Sequence, residues 1–403
     1  MNEYNLVPNI RFKGFDDKWS EKKLDNAVAV IMGQAPSSSN YHDHQVNHSM
    51  ILIQGNADIE NNKIKPRLWT TQITKETIPN DIILTVRAPV GEVAKNDFDA
   101  VIGRGVAALR GNRFLYYYLE NINQIGYWNR ISTGSTFMSI SSDDIKEVKI
   151  SLPRCKEQKY IYTFFTKLDK LLDMQQQKID KLELLKKALL QKLFPKSDSK
   201  TPELRFKGYE EDWSVKKLGE ITKYVKGYAF QSQSYTKHGV RIIRATDISN
   251  HNIQKEKNSS IFLSKDMAKS YLKYIIHKKD IIITTVGVNM GNAIYVYEEQ
   301  YSLLNQNLVK ISTIDGFDSL FVYFQLKQPH YLNYISRIER GNAQTSIAIN
   351  DLWNYSFKVP KIGEQQKIGN LLSKVDQLIE LENKKLQNFQ QVKKCLLQNM
   401  FVE

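Results

Sequence analysis

The chain contains a second copy of itself. Residues 8–24 read PNIRFKGFDDKWSEKKL, and residues 202–218 read PELRFKGYEEDWSVKKL. Pro8, Arg11, Phe12, Lys13, Gly14, Trp19, Ser20, Lys22, Lys23 and Leu24 recur 194 positions later. A second match runs at an offset of 207, where Arg130, Gly134, Ile140, Asp144, Pro153, Glu157 and Gln158 all meet identical counterparts. The drift between offsets places extra residues in the middle of the second copy. Those middles, 25–110 and 219–310, share only fragments such as Asp-Ile-Ile at 81–83 and 280–282. Matching frames with dissimilar centres suit two modules on one scaffold that recognise different things. Drift of a duplicated structural domain is the plainer alternative.

A chain of 403 residues makes two or three domains, each able to bury its own core. The net charge of +14 points to a polyanionic partner, nucleic acid or an anionic membrane. No apolar stretch approaches the ~20 residues of a membrane span, and MNEYNLVPNIRFKG does not read as a signal peptide. Cys155 and Cys395 form no ligand or disulfide pattern, so a reducing cytoplasm is the simplest setting.

The coarse reading is mixed α/β. NDIILTV (80–86) and KDIIITTV (279–286) predict strands. GRGVAALRG (103–111) reads as a strand between tight turns, since its G-x-G start lacks the rest of a dinucleotide fingerprint. FLYYYLENI (114–122) and LFVYFQLKQ (320–328) align, and their helical spacing reads as core rather than as base-stacking surface.

Each copy ends in a long helix with few breakers. Ile161, Phe165, Leu168, Leu172, Gln175, Ile179, Leu182, Lys186, Leu189 and Leu193 step in fours and threes, the seam of a coiled coil. The same places in the second copy hold Ile368, Leu372, Val375, Ile379, Glu382, Leu386, Phe389, Lys393, Leu396 and Met400. Antiparallel pairing in one register sets Lys186 opposite Glu382 and Gln175 opposite Lys393. Apolar layers then fall at Leu168 with Met400, Leu172 with Leu396, Ile179 with Phe389, Leu182 with Leu386, Leu189 with Ile379 and Leu193 with Val375. The expected fold is mixed α/β, with two globular heads joined by two long helices in an antiparallel coiled coil. The boundaries are 1–155, 156–199, 200–362 and 363–403, and the repeat is pseudo-twofold.

The opening motif P-x-[IL]-R-F-K-G-[FY]-x-x-x-W-S-x-K-K-L resembles the specificity subunits of Type I restriction–modification systems. So does P-x-x-x-E-Q-x-x-I followed by a long helix ending L-L-Q-x-[LM]-F. The resemblance implies two target recognition domains reading a bipartite site in double-stranded DNA. It also implies spacer helices on which two methyltransferase subunits dock, with restriction subunits joining them. Modification would be adenine N6-methylation, with S-adenosylmethionine held by the methyltransferase subunits and no cofactor in this chain.

DNA-facing positions follow from the same resemblance. In the first copy they are Gly33, Gln34, Ser37 to Tyr41, Gln54, Asn56, Arg87, Arg104, Ser135, Thr136 and Met138. In the second they are Gly227, Tyr228, Phe230, Gln231, Arg244, Thr246, Asp247, Asn289, Asn305, Gln306, Asn342, Gln344 and Thr345. Arg suits guanine, and Asn or Gln suits adenine; each residue also suits a turn or a phosphate contact.

Chemistry of the chain's own finds little support. No Pro-Pro pair exists for a methyltransferase tetrad, and no phosphate loop is present. Asp144, Glu147 and Lys149 loosely resemble a nuclease site, but the twin copy keeps only Asp351. His42, His44 and His48 lack the Cys or acid that would complete a zinc site. A coiled-coil adaptor without nucleic acid and a stand-alone DNA-binding repressor are the remaining classes.

Overall fold

The computed structural model describes residues 6–132, 138–196, 198–249, 252–287, 289–341 and 346–402, with 339–341 described by backbone alone. It forms two compact units, residues 1–177 with 384–403 and residues 178–383. The expected boundaries followed the linear sequence. In the structure each unit instead takes a head together with one part of each long helix.

The heads share a topology. In the first, the strands 29–32, 106–110, 82–85 and 93–95 lie side by side, and 63–64 and 59–60 extend that sheet. In the second, 222–226, 308–313, 281–284 and 293–295 follow the same order. A further sheet in each head pairs two strands in parallel, 50–53 with 100–102 and 240–243 with 300–304. The predicted strands settle at Ile82–Thr85 and Ile281–Thr284, buried along their whole length between two neighbours. An unbroken Ile-rich run is what a strand covered on both faces requires. GRGVAALRG supplies the strand Val106–Arg110.

The aromatic segments are core helices. Arg113–Gln124 is capped by the Asn112 side chain, and Phe114, Tyr116, Tyr117, Tyr118 and Leu119 are all buried. Ser319–Gln325 is capped by Asp318 and buries Phe321, Val322, Tyr323 and Phe324. None of these rings is available to stack on a base.

The motifs that define the repeat lock onto each other. Strand Ser20–Lys23 pairs antiparallel with Lys149–Leu152, and Ser214–Lys217 pairs with Ser356–Val359. Arg11 grips Glu157 through Nε at 2.7 Å and Nη2 at 2.8 Å; Arg205 grips Glu364 through the same atoms at 2.9 Å each. Gln158 Nε2 donates to the Pro153 carbonyl and Gln365 Nε2 to that of Pro360, each at 2.8 Å. The bidentate fork ties the opening motif to the first turn of the long helix, which is why both motifs recur in both copies.

The long helices span Cys155–Lys192 and Ile362–Met400. Every seam residue named above is buried or half-buried, and none is exposed. Their ends serve as core. Phe401 packs on Trp19, Phe114 and Phe165 of the first unit, and Phe194 packs on Trp213 and Phe321 of the second. Within each unit the two helix segments run antiparallel, as the ion pairs Lys178–Glu382 and Lys186–Asp376 show for the second.

Those pairs overturn the expected register. Lys186 meets Asp376 at 2.6 Å, Glu382 takes Lys178 at 2.9 Å, and Lys393 binds Asp169 at 2.8 Å and Glu120 at 2.7 Å. Asp376 lies six residues from Glu382, roughly 9 Å along the helix. Each charged seam residue therefore pairs with a charge beside the seam: Asp376 next to Val375, Lys178 next to Ile179, Asp169 next to Leu168. A lysine reaches the seam's edge through its long stem and keeps part of its hydration there, which a dry layer would remove.

The loose nuclease-like triad is structural. Asp144 caps a short helix through Ser141, Glu147 pairs with Lys23, and Lys149 pairs with Glu21. His44 Nδ1 sits 2.6 Å from Asp43 in an exposed loop. Among the described residues no helix is long and apolar enough to cross a membrane.

Candidate nucleic-acid interface

In each head the first strand of the shared four-strand order, 29–32 or 222–226, runs into a glycine. Gly33 N donates to the Val106 carbonyl at 3.0 Å, and Gly227 N to that of Leu308 at 2.9 Å. A Cβ would stand 2.1 Å from Gly103 O at Gly33, and 1.9 Å from Asn305 O at Gly227. These glycines let two backbones touch, so their role is to shape the loop.

The following loop borders an open cleft of about 580 Å³ in the first head. Tyr41, Gln54, Asn56, Arg87 and Arg104 line it with Pro36, Ser38, Gly55, Ala88, Gly103 and Gly105. Six of the positions expected to face DNA, Ser38 among them and scattered over 67 residues of sequence, thus converge on one concavity. Arg87 and Arg104 are exposed, and among the described residues neither guanidinium has an ion-pair or hydrogen-bond partner. Gln34 and Ser37 are exposed nearby: Gln34 N donates to Ile102 O at 2.9 Å, and Ser37 N to Gln72 Oε1 at 2.7 Å. Met138 is half-buried against the core, and its carbonyl accepts from Ala88 N at 3.2 Å.

The turn carrying Gln54 and Asn56 is built on a buried carboxylate. Asp58 accepts from Gln54 N at 2.7 Å, Gly55 N at 3.1 Å and Arg67 Nε at 3.0 Å. Its counterpart Asp247 accepts from Arg244 N at 2.9 Å and Arg244 Nε at 3.1 Å, and pairs with Arg241. Burial pushes the Asp247 carboxyl up, but the hydrogen bonds from Arg244 and the two guanidinium charges outweigh it and hold it below its ordinary value. Asp247 is therefore a buried fastener rather than a DNA-facing group. Arg244 spends its guanidinium on Asp247 and the Ser259 carbonyl.

In the second head Phe230 is buried and belongs to the core, a second departure from expectation. Tyr228 is exposed and joins a group of rings with Tyr271 and Tyr274, at centroid distances of 4.9 and 5.3 Å. Gln231, Thr246, Asn289 and Gln306 are exposed, and Asn305 Oδ1 accepts from Asn307 N at 3.3 Å. Ser135, Thr136, Asn342, Gln344 and Thr345 lie outside the described residues. Sequence reasoning missed Tyr271 and Tyr274. The only signal was two tyrosines a turn apart in KSYLKY, within a stretch that has no counterpart in the first copy.

A family model described as the Type I restriction modification DNA specificity domain matches this chain twice, over residues 16–184 and 210–391. Among relatives from Methanocaldococcus jannaschii, the MjaX type I restriction enzyme specificity subunit is 32% identical over 43% of this chain and 42% of that protein. The MjaVIII specificity subunit is 24% identical over 66% of this chain and 64% of that protein. The chain thus spans under two thirds of these two relatives. Against the MjaIX specificity subunit, also 24% identical, it covers 94% of its own length and 91% of the other. The crystal structure of a Type I restriction-modification system S subunit from M. genitalium superposes with a TM-score of 0.67. It covers 98% of this chain and 99% of that one at 18% identity, a likeness of fold. Two family matches, falling on the two copies found in the sequence, place this chain in the Type I restriction modification DNA specificity domain family.

Proposed function

We propose that this chain is the DNA sequence-specificity subunit of a Type I restriction–modification complex. It recognises a bipartite target in double-stranded DNA and positions two methyltransferase subunits and the restriction subunits. The chain performs no catalysis itself. S-adenosylmethionine is held by the methyltransferase subunits, and the complex works in the cytoplasm.

The observation that carries this reading is the pairing of a shared frame with unshared loops. Both heads are built on the same strand order and the same Arg–Glu clamp, while the residues around the loops differ. Two exposed guanidinium groups that line the cleft and have no partner among the described residues supply what a base edge or phosphate binds. The +14 charge supplies long-range attraction.

The test is methylome sequencing of the host with and without the gene. The expected result is one bipartite adenine-methylated motif that disappears with the gene, while transcripts of the methyltransferase subunits persist. An unchanged methylome would overturn the reading. On purified protein, the chain alone binds DNA weakly with a steep salt dependence, and binding becomes specific once methyltransferase subunits are added.

A further inference from the structure

The shared frame allows the two heads to be matched residue by residue at the cleft. Gly103 N and Asn305 N donate to Ile53 O and Ile243 O, and Val106 N and Leu308 N close the same turn onto Gly103 O and Asn305 O. The residue at the tip of this turn is Arg104 in the first head and Gln306 in the second. Val86 N donates to Gly105 O and Thr285 N to Asn307 O, so the next residues, Arg87 and Val286, are also matched. Both form the same isolated bridge, Arg87 with Ser139 and Val286 with Ser346.

At these matched positions the chemistry changes class. The first head offers two exposed guanidinium groups. The second offers an exposed amide and an exposed isopropyl group, with Val286 37% accessible. Nor does Arg244, on the neighbouring turn built on Asp247, restore a free guanidinium, because Asp247 and the Ser259 carbonyl hold it. A fork of two N–H donors fits O6 and N7 of guanine, a carboxamide fits N6 and N7 of adenine, and an apolar side chain fits the thymine methyl.

We propose that the two heads take different base chemistry: the first reads guanine through Arg87 and Arg104, and the second reads adenine through Gln306 and thymine through Val286. This inference rests on the function proposed above and goes beyond it by assigning a base class to each head.

The experiment uses the full chain in complex with its methyltransferase subunits, and a duplex carrying the motif found by methylome sequencing. Each guanine is replaced in turn by 7-deazaguanine, which deletes the N7 acceptor and keeps the base pair. The expected result is about tenfold weaker binding at each of two guanines, both in one half-site. In cells, Arg104→Gln relaxes or converts one guanine of that same half-site, while Gln306→Arg brings guanine into the other.

A bipartite motif whose binding is indifferent to every 7-deazaguanine would overturn this inference and leave the proposed function standing. It would mark Arg87 and Arg104 as phosphate contacts. Sensitivity confined to the half-site altered by Gln306→Arg would overturn it too. If Arg104→Gln abolishes methylation altogether, the deazaguanine series on the unaltered protein decides alone. Absence of any gene-dependent motif overturns both readings.

Discussion

Replacing Lys393 with methionine tests why a lysine sits in an otherwise apolar seam. Its ammonium lies 2.7 Å from Glu120 Oε1 and 2.8 Å from Asp169 Oδ1, and none of the three side chains is more than 21% exposed. Asp169 has other support, Lys95 Nζ at 2.6 Å and the Tyr117 hydroxyl at 2.7 Å. Burial pushes the Asp169 carboxyl up, but Lys393 and Lys95 outweigh it and the net value is lowered. Glu120 is poorer in partners. Burial holds its carboxyl above the ordinary value, Lys393 offsets only part of this, and Oε2 has no hydrogen-bond partner among the described residues.

Methionine therefore strands Glu120 with Asn62 Nδ2, at 3.3 Å, as its remaining donor. Removing one member of a buried pair costs about 3–5 kcal/mol, which lowers the melting temperature by about 10 °C for a unit of this size. Scanning calorimetry at pH 7 measures the loss. In a Glu120→Gln background no charge is stranded, and the same Lys393→Met change costs only about 1–2 kcal/mol. The pH dependence has a definite sign. Without Lys393 the folded pKa of Glu120 rises further above its unfolded value. The stability this contributes is present at low pH and lost as pH climbs through the folded value. The deficit is thus smaller at pH 5 than at pH 8. A variant that melts with the parent, or that loses as much in the Glu120→Gln background, would refute this reasoning.

Lys186→Glu should destabilise the protein, and Asp376→Lys should recover most of the loss while Glu382→Lys recovers none; urea denaturation of the four proteins checks the register. Phe401→Ala should cost about 3–5 kcal/mol by opening a cavity among Trp19, Phe114 and Phe165, measured as a shift in the urea midpoint. Burial, aided by the Lys186 charge, lowers the Lys327 ammonium to about 8, so its neutral form is favoured on folding. The parent should gain on the order of 3 kcal/mol relative to Lys327→Met as pH rises from 8 towards 10.5, and lose it again as pH falls. Calorimetry across that range reads the sign directly.

Much of the fold was legible because it is written as period and repetition. The Ile-rich runs became central strands and the aromatic segments became core helices. The seam positions became the buried faces of Cys155–Lys192 and Ile362–Met400. The partners of the polar seam residues were not legible. Heptad logic admits only partners on the facing helix, whereas Lys393 also answers Glu120, which belongs to a head helix. The candidate interface was half legible. Tyr41, Gln54, Asn56, Arg87 and Arg104 converge, yet Phe230, Arg244 and Asp247, equally plausible by residue type, are engaged internally.

By itself, the sequence determined the duplication, the class of each main element and the apolar faces. These depend on spacing along one chain, and spacing survives without a structure. Tertiary structure alone decided which charges meet and which loop side chains stay free. The Arg11–Glu157 and Arg205–Glu364 clamps are separated by 146 and 159 residues, and each makes one motif the anchor of another. A guanidinium's availability depends on what the fold brings within 3 Å of it. The same residue type is exposed with no partner among the described residues at Arg104 and is spent on the protein at Arg244.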